Sequence, residues 1–94
     1  MLTEKLKTAG FYIKQFPDVD GDVYVKKLRV LDMPQVRKQL FSTLEIEDSD
    51  IATIEVYPDT EVFISIWDLN SHHGPFRHDI EPGCTILDEA GVEL

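Results

Sequence analysis

The chain reads as an α+β domain: a mainly antiparallel sheet of four to five strands with two helices, in the order α-β-β-α-β-β-β. Three observations predict this. Apolar and β-branched residues recur with a period of two between positions 51 and 67. Two other segments, 2–9 and 34–44, space their apolar residues as a helix does. The strand candidates are joined by tight turns, not by the long crossovers that parallel pairs require. A chain of 94 residues must share one core along its whole length, so residues 1–94 are expected to form a single domain.

The elements follow in order. Thr3 to Ala9 predicts a short helix, with Leu2, Leu6 and Ala9 on one face and Gly10 as its stop. Phe11 to Phe16 is aromatic and β-branched, hence a strand. Pro17-Asp18-Val19-Asp20-Gly21-Asp22 is turn chemistry, and Val23 to Leu31 returns as the second arm of a hairpin. Asp32-Met33-Pro34-Gln35 marks a helix start, with aspartate as the cap, proline in the first turn and glutamine able to close a capping box. The helix is expected to run to about Leu44, where Glu45-Ile46-Glu47-Asp48-Ser49-Asp50 opposes the helix dipole.

Ile51 to Tyr57 and Glu61 to Trp67 are strands whose register can be derived. A three-residue loop, Pro58-Asp59-Thr60, pairs Ala52 with Ile66, Ile54 with Ile64 and Val56 with Val62, so that one face is wholly apolar. The opposite face then holds Ile51 beside Trp67, Thr53 beside Ser65 and Glu55 beside Phe63, and it needs a cover. Asn70 to Gly83 shows no period and reads as a loop; Cys84 to Leu87 reads as the last full strand. Asp88 to Gly91 reads as a turn, and Val92-Glu93-Leu94 as a short closing strand.

Charge is the least ordinary property of the sequence. The formal net charge is −9, from 9 basic and 18 acidic residues. Residues 1–38 hold 8 basic and 5 acidic residues, whereas residues 39–94 hold 1 basic and 13 acidic. Such a balance argues against direct binding of nucleic acid, whose phosphates are anionic. No apolar run marks a secretory signal or membrane span, and one cysteine, Cys84, permits no internal disulfide. A cytoplasmic protein that does not bind membranes is expected, and no cofactor motif is present.

Three clusters bear on function. Glu45, Glu47, Asp48, Asp50, Asp59 and Glu61 form a carboxylate-rich stretch that can imitate a row of phosphates and engage a basic protein surface. Inhibitor and immunity proteins act in this way, with electrostatic steering of association. Phe63 and Trp67 add apolar contact for such a partner or for a second copy in a homodimer. The preferred expectation is therefore a non-enzymatic acidic interaction domain. The alternative is a small metal-binding protein using His72, His73 and His78, with Asp79 or Cys84 completing the set, although adjacent histidines in an extended chain point opposite ways. A Cys84-His78-Asp79 nucleophilic arrangement needs the three to meet in space. Asp18-Val19-Asp20-Gly21-Asp22 is no calcium loop, because its glycine is fourth where the sixth position is required. Lys26, Lys27, Arg29, Arg37 and Lys38 are read as cations offsetting carboxylates of the same molecule or of a second copy.

Overall fold

The computed structural model describes residues 2–67 and 71–94. Among these residues the chain forms α1 (Leu2–Thr8), β1 (Tyr12–Lys14), β2 (Val23–Arg29), a 3-10 turn (Val30–Asp32), α2 (Pro34–Leu40), β3 (Ile51–Val56), β4 (Glu61–Trp67), β5 (His72–Asp79) and α3 (Thr85–Glu89). The strands make one antiparallel sheet in the order β1-β2-β3-β4-β5, each pairing with its neighbour in sequence. The architecture is α+β, with the expected α-β-β-α-β-β-β order and one further short helix at its end.

The β3–β4 hairpin has the derived register: Ala52 faces Ile66, Ile54 faces Ile64 and Val56 faces Val62. Its loop closes through the Thr60 N–H, which donates to the Tyr57 carbonyl at 2.9 Å, and Thr60 adopts a left-handed φ of 67°. The six aliphatic side chains are at most 2% exposed. They meet Leu6 of α1, Met33, Val36 and Phe41 around α2, Ile86 and Leu87 of α3, and Ala90 at its C-cap in one core. All three helices thus cover the same face of the sheet, and burial of that face fixes the register.

Helices α1 and α3 are anchored by one device used twice. Each runs through leucine, two polar residues, alanine, glycine and a large apolar residue: Leu6 to Phe11 and Leu87 to Val92. Gly10 and Gly91 take φ of 96° and 90°. The Phe11 N–H returns to the Leu6 carbonyl and the Val92 N–H to the Leu87 carbonyl, the hydrogen-bond pattern of a Schellman stop. Lys26 of β2 stands between the two helix ends, and its Nζ donates to the Ala9 and Ala90 carbonyls, both at 2.6 Å. One ammonium therefore satisfies two helix C-termini, where the dipole favours a cation.

Several boundaries differ from expectation. Residues 72–79 form the fifth strand and not a loop; of the stretch read as a loop, Asn70 lies outside the described residues. The strand lies at a sheet edge, where one-sided burial weakens the apolar pattern and a proline is tolerated. A bulge between Ile64 and Ile66 accompanies Gly74, at which an added Cβ would lie 2.9 Å from the Ile64 carbonyl oxygen. Residues 85–89 are helix and not strand, because Ile86, Leu87 and Ala90 face the core at helical spacing. The closing strand at 92–94 is absent, and Asp88 to Gly91 is the end of α3. β1 spans Tyr12–Lys14 alone, and β2 ends at Arg29 because Val30–Asp32 turn into a 3-10 helix.

The expected capping box does not form. Met33 occupies the N-cap of α2 without a side-chain hydrogen bond, and Pro34 keeps its place in the first turn. The Val36 N–H is satisfied from a distance by Glu89 Oε1 at 2.6 Å. α2 stops at Leu40, earlier than Leu44, because Phe41 turns into the core against Phe76, their ring centroids 5.5 Å apart. No helix among the described residues is long and apolar enough to cross a membrane.

Candidate functional site

The face of the sheet opposite the helices has no helix over it. Cross-strand register assigns its side chains: Tyr12 and Lys14 on β1, Val23, Val25, Lys27 and Arg29 on β2, Ile51, Thr53 and Glu55 on β3, Phe63, Ser65 and Trp67 on β4, and His72 and Arg77 on β5; Val23 and Val25 are buried, and the exposed apolar groups lie at the other end. Trp67 is 61% exposed and its direct partner Ile51 is 41% exposed, while Leu31, just beyond β2, is 54% exposed. Leaving large apolar groups in water forgoes their burial free energy, so their gathering at one end of one face makes it the candidate site.

Aromatic rings organise this face in two groups. The Trp67 indole stacks on the His72 imidazole with centroids 3.8 Å apart and planes 14° apart. Towards the β3–β4 turn, Phe63 meets Tyr57 edge-on at 5.1 Å, and Tyr57 stacks with Phe16 at 6.5 Å. The Tyr57 hydroxyl donates to Glu55 Oε1 at 3.4 Å. Burial, reinforced by the Glu55 carboxylate, raises the Tyr57 phenol above its ordinary value and keeps it a donor. Between the two groups lies a shallow depression of about 340 Å³, floored by Thr53 and Ser65 and bordered by Phe16, Lys27, Trp67 and His72.

The carboxylates nominated from sequence separate into two sets. Glu45, Glu47, Asp48 and Asp50 lie in the segment that leads into β3 at Ile51. That segment is tied to the end of β2, because the Leu31 N–H donates to the Asp48 carbonyl at 3.0 Å and the Val30 N–H to the Asp50 carbonyl at 2.9 Å. It therefore stands beside the exposed Leu31, Ile51 and Trp67. Asp59 and Glu61 sit at the far end of β3, about 20 Å away by strand rise. The turn holding Asp18, Asp20 and Asp22 accompanies them there, since a Cβ at Gly21 would come within 3.0 Å of Pro58. The expected single acidic surface is instead two acidic ends with an aromatic face between them.

The histidines do not converge. His72 lies on the uncovered face opposite Trp67, while His73 faces the other way across from Ile66, its Nε2 3.2 Å from Ser71 Oγ. His78 stands opposite Val62 on the helix-covered face. Among the described residues, no group of three or more His, Cys, Asp or Glu side chains is arranged to hold a metal ion. Strand geometry is the reason, because consecutive side chains project to opposite faces.

His78, Asp79 and Cys84 do line one cleft of about 390 Å³ between β5, α2 and α3. The buried Cys84 begins α3, and no hydrogen bond joins it to His78 or Asp79 among the described residues. The five cations read together in the sequence are also dispersed. Lys26 and Lys27 point to opposite faces, Arg29 pairs with Asp32 at 3.4 Å, and Arg37 approaches Asp48 at 3.9 Å. Sequence reasoning expected Tyr57 on a sheet face with Phe63 and Trp67, and missed Phe16 and His72 as members of the aromatic face. No protein-family model, curated protein or solved structure matches the chain, so the functional reading rests on this geometry alone.

Proposed function

We propose that the protein is a non-enzymatic interaction domain whose uncovered sheet face receives the apolar patch of a protein partner. Phe63 and Trp67 supply the central contact, and the acidic ends of the sheet favour a partner whose patch is rimmed by basic residues. One observation carries this reading: Trp67, Ile51 and Leu31 stand exposed together beside the Glu45–Asp50 carboxylates. An aromatic centre with a charged rim is the usual anatomy of a specific protein interface. Glu45, Glu47, Asp48 and Asp50 then steer the encounter, while Asp59 and Glu61 act at the opposite rim.

Affinity capture by the immobilised chain tests this. Raising salt from about 50 mM to about 300 mM shortens the screening length about 2.4-fold and should weaken capture of a basic partner roughly tenfold. A variant carrying Glu47→Lys, Asp48→Lys and Asp50→Lys should lose the same partner, and Trp67→Ala should lose it irrespective of salt. A complex indifferent to both salt and charge reversal would overturn the reading.

A further inference from the structure

Trp67, the most exposed large apolar side chain among the described residues, does not stand alone. Strand pairing sets His72 of β5 directly opposite it, and the imidazole lies flat on the indole with centroids 3.8 Å apart and planes 14° apart. Both side chains are exposed. Imidazole is the group whose charge ordinarily changes between about pH 5 and 8. The centre of the proposed contact is therefore in van der Waals contact with a ring that becomes a cation on mild acidification.

The charges around this ring do not cancel such a cation. On β4 its same-face neighbours Trp67, Ser65 and Phe63 carry none, and Arg77 of its own strand is engaged by Glu61. The adjoining depression is bordered by Lys14 of β1, Lys27 of β2 and Glu55 of β3, one positive charge in excess. Arg29 is paired with Asp32. The Glu47, Asp48 and Asp50 carboxylates lie beyond β3, two strands or about 10 Å from β5, which is about one screening length in ordinary salt.

Resting on the reading of this face as the seat of a basic partner, we propose that His72 makes the seat responsive to pH. A neutral imidazole extends the flat surface offered by Trp67, whereas an imidazolium puts a cation where the partner brings its own. The partner disfavours the proton, so association is strong above the imidazole titration and weakens as pH falls through it. By linkage, docking expels the proton. A unit charge added about 4 Å from a partner cation in water weakens association roughly fivefold.

Two measurements test the inference. Trp67 is the only tryptophan, and an imidazolium stacked on an indole quenches its fluorescence more than the neutral ring does. Emission of the pure chain should fall in one step between about pH 8 and pH 5. His72→Gln should abolish the step, while His73→Gln and His78→Gln should keep it. In affinity capture the chain should hold its basic partner roughly fivefold more weakly at about pH 5.5 than at about pH 7.5. His72→Gln should hold it equally at both, and His72→Arg, flat and permanently charged, weakly at both. An emission without the step, a step that survives His72→Gln, or a pH-dependent capture that survives His72→Gln would overturn the proposal. Salt-sensitive capture that ignores pH removes only the switch; a fluorescence step with no salt-sensitive capture at any pH removes the basic partner, and the switch with it.

Discussion

Replacing Ile64 with alanine should cost about 3 to 4 kcal/mol of folding stability, the range for deleting a large aliphatic side chain from a core that cannot collapse around the gap. Ile64 is fully buried, lies opposite Ile54 on β3 and Phe76 on β5, and belongs to the core shared with the helices. Rigid neighbours on both sides leave little room for relaxation. Ile51→Ala, on the adjacent strand but on the uncovered face, should cost under about 1 kcal/mol because that side chain is already 41% exposed. Urea unfolding of the two variants reads the difference directly. Equal losses would mean that the hairpin pairs in another register, since a shift by one residue exchanges the two faces.

Lys26→Met should produce the second large effect. Methionine keeps the length of the apolar stem and removes both charged hydrogen bonds, to the Ala9 and Ala90 carbonyls. Each such bond contributes about 1.5 to 3 kcal/mol when made, and the carbonyls regain part of this from water. A net loss of about 2 to 3 kcal/mol should lower the melting temperature of a domain this size by roughly 10 °C or more. Lys27→Met, one residue on and on the opposite face, should leave it nearly unchanged. If the two variants melt alike, Lys26 does not join α1 to α3.

The contrast between these neighbours shows what was legible in the sequence. The β3–β4 register was legible because six aliphatic residues alternate without interruption and only one loop length aligns them. β5 was not, because an edge strand buries one side sparingly: Phe76, His78 and Ile80 alternate with Arg77 and Asp79, but Gly74 and Pro75 obscure the period. α3 was hidden by its five residues, too few to display a helical repeat beside β-branched Thr85 and Ile86. A clue was present in the shared pattern of Leu6 to Phe11 and Leu87 to Val92, read as a helix stop in the first case and a turn in the second.

The site was partly legible for a related reason. Phe63 and Trp67 were placed on a mixed face by the same pairing that fixed the core, and the need for a cover followed from their size. The carboxylates misled because nearness along the chain was read as nearness in space, whereas β3 carries Asp50 and Asp59 to opposite ends of the sheet. Lys26 could not be identified at all, since its partners lie 17 and 64 residues away.

The account depends most on the sheet face opposite the helices being open within a single chain. Trp67 is the only tryptophan, so its fluorescence reports on that face without labelling. In dilute solution acrylamide should quench the indole readily and its emission should lie at the long wavelengths of hydrated tryptophan, since Trp67 is 61% exposed. Adding the captured basic partner should protect the indole and shift its emission to the blue. An indole shielded from acrylamide and blue-shifted at every dilution would contradict the account, because the face would then be covered by the chain itself.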